Sequence, residues 1–133
     1  MEEERWIERF ENFCRALHQL ETALQQKKVS VLEKDGVIQR FEFTMELAWK
    51  TIQDILNSRG YIDLKGPKPV IKQAFRDGII SDGQEWINML EDRNKSTHLY
   101  DETLALEIFD KIQLQYLSLL TGFKAKISNQ SGK

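Results

Sequence analysis

The sequence is poor in the residues that break a chain or cross-link it. It has seven glycines and two prolines in 133 residues. Those nine make up roughly 7% of the chain, against about 12% in average proteins, so few turns and long helices are expected. The single cysteine, Cys14, excludes an internal disulfide and a zinc site built from several cysteines. We interpret it as a small buried hydrophobic residue in a reducing compartment.

Long apolar runs and an excess of one charge are also absent. No apolar stretch approaches the roughly 18 residues of a membrane span. The acidic start MEEERWIERFE lacks the apolar segment of a signal peptide. We therefore predict a cytoplasmic protein with no membrane contact. With 19 Lys and Arg against 21 Asp and Glu, the net charge is −2. The chain thus lacks the basic excess of a general nucleic-acid binder, and any contact with phosphate must be local.

Apolar periodicity predicts the first two helices. The first covers residues 3–26, and the second covers about residues 31–58. A capping box of Ser30 and Glu33 marks the start of the second helix, and Gly60 marks its end. The apolar stripe of the first helix recurs every three or four residues and consists of Trp6, Phe10, Phe13, Leu17, Leu20 and Leu24.

Turn and capping residues divide the second half of the chain. Pro69 opens a short helix, and a capping box of Ser81 and Gln84 predicts the next long helix. Asp101 is the expected N-cap of the last long helix, which runs to about Ile127.

The pattern predicts an all-α fold. We expect an antiparallel up-and-down four-helix bundle with an additional short helix between the second and third long helices. Residues 1–127 would form a single domain, and residues 128–133 a frayed tail.

Two helices carry apolar residues on a second side. Phe43 and Leu47 project about 140° and 180° away from Ile38 on the second helix. On the last helix, three leucines lie opposite the core-facing side: Leu106, Leu114 and Leu117. Such second faces predict an oligomer.

A polar strip on the second helix borders the core and includes Glu42, Glu46 and Lys50. Salt bridges within or between helices would explain it, and so would a polar groove. A di-metal site would need Glu-x-x-His pairs, which are missing, so we predict no metal and no cofactor. The two histidines, His18 and His98, are too few and too far apart in the sequence for a metal site.

The segment EDRNKSTHLYDE concentrates Arg93, Asn94, His98 and Tyr100 at a corner between helices. An arginine fork suits phosphate, and a histidine transfers protons near neutral pH. Together they would cleave RNA without metal, with His98 moving the proton and Arg93 holding the charge on phosphorus. Helix capping and solvation are the alternative interpretation of the same residues.

Three stretches of the sequence resemble nucleotidyltransferase substrate-binding proteins, which belong to the HEPN superfamily. They are DGVIQRFEFTMELAWKTIQD, PKPVIKQAFRDGIISDGQEWINMLEDRN and STHLYDE, within a resemblance that spans about residues 5–125. The resemblance implies a homodimeric four-helix bundle that acts as the substrate-binding subunit for a separate minimal nucleotidyltransferase, usually encoded next door.

The same resemblance also implies an alternative function. Similar proteins are metal-independent endoribonuclease toxins, and the nucleotidyltransferase is their antitoxin. Arg93, Asn94 and His98 match the ribonuclease motif, while Tyr100 matches the tyrosine that the partner adenylylates. RNA contacts would then depend on a few basic residues: Lys72, Arg76, Arg93 and Lys95. An inert helical scaffold is the third hypothesis.

Overall fold

The computed structural model describes residues 2–26, 30–98 and 101–131, and within these ranges no strand occurs. A 3₁₀ turn, Ser96–His98, follows α4, and a π-helical segment, Ile112–Tyr116, joins α5 to α6 without interruption. The last long helix is therefore continuous. The α-helices are α1 Glu2–Leu24, α2 Val31–Ser58, α3 Pro67–Arg76, α4 Gly83–Lys95, α5 Glu102–Lys111 and α6 Leu117–Ser131.

The helices pack as a bundle around α2. Helix α2 lies along α1 and also contacts α3, α4 and α5, while α1 contacts α6. The predicted fold class is confirmed: α1, α2, α4 and the continuous last helix form the four-helix bundle. The short α3 lies between the second and third long helices in the sequence.

Local hydrogen bonds explain where two helices start. The Ser30 hydroxyl accepts from the Glu33 N–H at 3.1 Å, and the Glu33 carboxylate accepts from the Ser30 N–H at 2.8 Å. This is the predicted capping box. The predicted Asp101 cap is also present, because its carboxylate accepts from the Leu104 N–H at 3.1 Å. At the end of α2, Gly60 adopts a φ of +100°, a conformation that favours glycine.

Three predicted helix ends were wrong. Helix α4 starts at Gly83 with Asp82 at the N-cap and no side-chain cap. The expected capping box does not form because Asp82, not Ser81, occupies the N-cap, and Gln84 donates to the Asn88 side chain at 3.0 Å. Helix α3 begins at Pro67 rather than Pro69, directly after the turn at Gly66. The last helix continues to Ser131, beyond the expected end at Ile127.

Aromatic rings join α1, α4 and α6 in the core. Phe13 lies edge-on to Phe123, with ring centres 5.4 Å apart, and Trp86 lies edge-on to Phe123 at 5.7 Å. Such edge-to-face pairs add stability beyond the apolar area they bury. The predicted stripe of α1 faces this core, since Phe10, Phe13, Leu17 and Leu20 are buried.

The second apolar faces project into solvent only in part. Contrary to the prediction, Leu47 and Leu117 are half-buried and pack against the core. Phe43 on α2 is 60% exposed, and Leu106 and Leu114 on the last helix are 44% and 78% exposed. None of the described helices is both long enough and apolar enough to cross a membrane.

A buried ion pair connects α1 to α2. The Asp54 carboxylate lies 3.1 Å from the Arg9 guanidinium, and only 8% of the Asp54 side chain is exposed. Burial raises the pKa of Asp54, and the nearby Arg9 cation only partly offsets this effect. The folded state therefore holds the Asp54 proton more tightly than the unfolded state does.

The raised pKa of Asp54 predicts that the natural chain and Asp54→Asn differ in their free energy of unfolding by an amount that depends on pH. The stabilising effect of protonated Asp54 is complete below its unfolded pKa and is lost as pH rises through the higher folded pKa. The free energy of unfolding of the natural chain, minus that of Asp54→Asn, should therefore fall as pH rises. Urea denaturation of both proteins between about pH 3 and pH 7 measures this difference in free energy. A difference that rises with pH would contradict the raised pKa.

Candidate functional site

The Glu46 carboxylate is the centre of a polar cluster between α2 and α4. Its Oε1 accepts from the Arg93 Nη2 at 3.1 Å and from the Trp49 indole N–H at 3.3 Å. Its Oε2 lies 3.3 Å from the Lys50 Nζ, one turn further along α2. One carboxylate of α2 therefore fixes the guanidinium that α4 presents.

The 3₁₀ turn after α4 is also bound to α2. The buried Ser96 hydroxyl is hydrogen-bonded to the Glu42 carboxylate and lies 2.5 Å from the Arg93 carbonyl oxygen. Glu42 and Glu46 are one helical turn apart, so both project to the same side of α2. Two adjacent carboxylates of α2 thus hold the end of α4.

The last helix binds α4 from another side, through Asp92. The Tyr116 hydroxyl donates to the buried Asp92 carboxylate, and the Lys111 Nζ lies 3.2 Å from it. Tyr116 ends the π-helical segment, and its ring stacks on Phe41 with the centres 5.7 Å apart. Burial, together with the bond to Asp92, raises the pKa of Tyr116, so the phenol remains a donor across the neutral range.

The Arg93 guanidinium is partly open to solvent, so an anion can approach it. About a third of the side chain is exposed, at 29%, and one terminal nitrogen is paired with Glu46. The Nε atom is buried and has no hydrogen-bond partner among the described residues. A planar fork with free donors is suited to the oxygens of phosphate or carboxylate.

The structure brings together two groups of residues that the sequence left separate. Glu42 and Glu46 of the polar strip lie against Arg93 and the turn that follows it. The predicted salt bridges are present, with Lys50 within α2 and with Arg93 between helices.

The remaining predicted site residues are less defined. Asn94 is exposed, and its backbone carbonyl accepts from the Thr97 hydroxyl at 3.2 Å. No bond of its side chain to the cluster is found in the described part of the chain. The His98 side chain and the whole of Tyr100 lie outside the described residues.

Sequence reasoning missed three members of the cluster. Ser96 belongs to a polar run that resembles any solvated loop, and its burial depends on α2. Trp49 is an apolar aromatic residue whose position on α2 gave no polar signal, but its indole N–H reaches Glu46. Asp92, next to Arg93, gave no signal because its partners are far away in the sequence.

Elsewhere the structure offers little for chemistry. No group of three or more His, Cys, Asp or Glu that could hold a metal ion occurs among the described residues. A shallow groove of about 530 Å³ between α1 and α2 is bordered by His18, Gln19 and Arg40. His18 is exposed there, as predicted.

Comparison with known families identifies the chain. The family model described as "Nucleotidyltransferase substrate binding protein like" matches residues 8–129. The chain belongs to this family. The matched range includes the whole Arg93–Glu46 cluster and the motif that begins at Arg93.

Individual relatives agree with this membership. A curated Haemophilus influenzae protein, described as "Probable ribonuclease HepT", is 34% identical over 82 residues, covering 58% of this chain. The match covers 56% of that protein, so the chain spans about half the length of this curated relative.

Two solved structures share the fold of this family member. A crystal structure of a Thermus thermophilus protein has a TM-score of 0.74 and 29% identity, covering 89% of this chain and 97% of that one. A Haemophilus influenzae structure, described as the fold of a substrate binding domain of a nucleotidyltransferase, has a TM-score of 0.77 and 24% identity. It covers 88% of this chain and 97% of that chain.

The contact between Glu46 and Arg93 predicts a measurable coupling. Since both side chains are about one-third exposed, we expect a coupling free energy of about 0.5–1 kcal/mol. A double-mutant cycle of Glu46→Gln and Arg93→Gln, measured by urea denaturation, gives this value. Glutamine keeps an acceptor oxygen at position 46 but removes its charge. Strictly additive effects would contradict the contact.

Proposed function

We propose that this chain is the substrate-binding subunit of a two-component nucleotidyltransferase complex and pairs with a separate minimal nucleotidyltransferase. The family match over residues 8–129 is the observation that carries the proposal. The Haemophilus influenzae structure with the same fold, described as a substrate binding domain of a nucleotidyltransferase, supports the proposal. A cytoplasmic location is part of this proposal.

The complex contains two copies of this chain. Phe43 on α2, with Leu106 and Leu114 on the last helix, offers apolar surface that a single chain leaves in water. Burying such side chains in a subunit interface is favourable because it removes apolar area from water. A homodimer brings two Arg93 guanidinium groups into one complex, although each chain has a net charge of −2.

A second function, metal-independent cleavage of RNA, is favoured by the partial exposure of Arg93. The exposed part of its guanidinium suits a phosphate oxygen. The 2′-hydroxyl oxygen attacks phosphorus, and the 5′ oxygen leaves, producing a 2′,3′-cyclic phosphate. His98 transfers the protons, one copy as base and the other as acid in the homodimer. Arg93, with Asn94 beside it, stabilises the charge that develops on phosphorus.

The relative named probable ribonuclease HepT supports this second function. Tyr100, two residues after His98, is then the acceptor through which the nucleotidyltransferase, as antitoxin, inactivates the toxin. An AMP ester on Tyr100 would add negative charge and bulk near the site, which repels an RNA phosphate.

Partner binding is tested by co-expressing the tagged chain with the nucleotidyltransferase encoded beside it. We expect the two proteins to purify together, with a mass by light scattering that includes two copies of this chain. A Phe43→Glu variant should lower the number of copies, because it places a charge on the proposed interface. Failure to capture the nucleotidyltransferase would refute the subunit role. A complex with one copy of this chain would refute the homodimer.

Cleavage is tested by incubating single-stranded RNA with the purified chain in EDTA. The natural chain should produce 2′,3′-cyclic phosphate ends, while His98→Ala and Arg93→Ala should each lower the rate at least about 100-fold. His18→Ala, which changes the other histidine, is the matched control and should retain full activity.

Two results would count against the ribonuclease. One is equal cleavage by the natural chain and His98→Ala, and the other is no cleavage by either protein.

After co-expression with an active nucleotidyltransferase, mass spectrometry should find AMP on Tyr100, and the modified protein should not cleave RNA. Full cleavage by the modified protein would contradict this mode of control.

A further inference from the structure

The outer side of α3 carries basic residues around one aromatic ring. Lys68, Lys72, Phe75 and Arg76 fall within an arc of about 100° on the helix, and all four are exposed. We call this surface the α3 basic face. The opposite side of α3 is buried in the bundle and consists of Val70, Ile71 and Ala74.

The cations of the α3 basic face lack acidic partners among the residues that the structure describes. No ion pair joins Lys68, Lys72 or Arg76 to an acidic side chain in the described ranges. The Asp77 carboxylate, which follows the helix, is engaged by the Tyr61 hydroxyl at 3.1 Å and the Arg59 guanidinium at 3.7 Å. The three cations lie four residues apart, so each is about 6 Å further along the helix axis than the one before it. They therefore form a line of positive charge on a chain whose net charge is −2.

The ring of Phe75 is held in place on this surface. It is 52% exposed, although it is a large hydrophobic side chain. Its inner side packs against the start of α4, where a Cβ at Gly83 would lie 2.9 Å from the Phe75 Cγ. Only glycine leaves room for this approach, so the backbone of α4 supports one side of the ring while the other side is open to solvent.

From this arrangement we infer that the α3 basic face binds single-stranded RNA. The three cations contact successive phosphates, and Phe75 stacks on a base. Proteins that bind single strands combine these two elements, a basic track and an aromatic platform. The ring favours RNA over an acidic protein surface, because every base presents a flat face for stacking whereas an acidic surface needs only the cations.

The inference rests on the proposed ribonuclease function and extends it to a second site. The α3 basic face shares no residue with the Arg93–Glu46 cluster, which α2 and α4 form. It would supply RNA affinity that the acidic chain as a whole does not have. Arg93 then contacts the phosphate that is cleaved, and α3 holds the strand nearby.

The test measures binding of a fluorescent oligouridine of about 12 nucleotides by anisotropy, using the full chain in a His98→Ala background to prevent cleavage. Lys68→Gln/Lys72→Gln should weaken binding at least roughly tenfold. It should also reduce the slope of log affinity against log salt by about 1.4, since two phosphate contacts are lost. The matched control, Arg15→Gln/Arg40→Gln, removes two exposed cations from α1 and α2 and should retain most of the affinity.

Two further variants test the ring. Phe75→Leu keeps an apolar side chain but removes the stacking face, and it should weaken binding roughly tenfold. Gly83→Ala displaces the ring from its support and should weaken binding in the same direction. Thermal unfolding of each variant checks that the bundle remains folded.

Several results would overturn the inference: no binding of the oligouridine by the His98→Ala protein, equal losses in the α3 and control variants, or full affinity in Phe75→Leu. Loss of nucleotidyltransferase capture with RNA affinity retained would also overturn it and assign the face to that protein. The two proposals fail separately. Cleavage that is unaffected by the α3 variants refutes only the RNA-binding face, whereas binding without cleavage by the natural chain refutes only the ribonuclease.

Discussion

The end of α4 is held from two sides by consecutive residues, and the candidate site depends on this constraint. Asp92 is bonded to Tyr116 and Lys111 of the last helix, and Arg93 is bonded to Glu46 of α2. Neighbouring positions on an α-helix are about 100° apart, so adjacent side chains can reach two different helices. The last turn of α4 cannot rotate without breaking one of these bonds. The direction in which the chain leaves the end of α4 is therefore fixed.

The electrostatics of the chain concentrate positive charge in few places. Glu46 balances Arg93 in the free protein, and the Arg93 Nε is buried, so an approaching phosphate oxygen must use the exposed part of the guanidinium or compete with the carboxylate. Since desolvated charges are tolerated only when paired, the Glu46 contact explains how an arginine is kept partly buried there. A net charge of −2 gives no general attraction for RNA, which makes local basic surfaces decisive.

The sequence predicted the parts of the structure that depend on local periodicity and capping. The stripe of α1, the capping box at Ser30 and the Asp101 cap follow from residues close together in the chain. It could not predict the joining of Glu46 to Arg93, which are 47 residues apart. The Gln84 capping box failed because α4 starts one residue later than Ser81 would allow, with Asp82 at the N-cap. The π-helical segment also had no sequence signal, and the contacts of its last residue, Tyr116, are with Phe41 and Asp92, which are far away in the sequence.

The most direct test of the central claim is ¹⁵N NMR of the arginine side chains in the His98→Ala protein. We expect the Arg93 Nε–H to exchange slowly because it is buried, and its signal to shift when a non-cleavable 2′-O-methyl RNA is added. The exposed Arg15 serves as the internal reference for an arginine at the surface. An Arg93 signal that exchanges as fast as that of Arg15 and does not respond to RNA would contradict a fixed, phosphate-binding guanidinium at the end of α4.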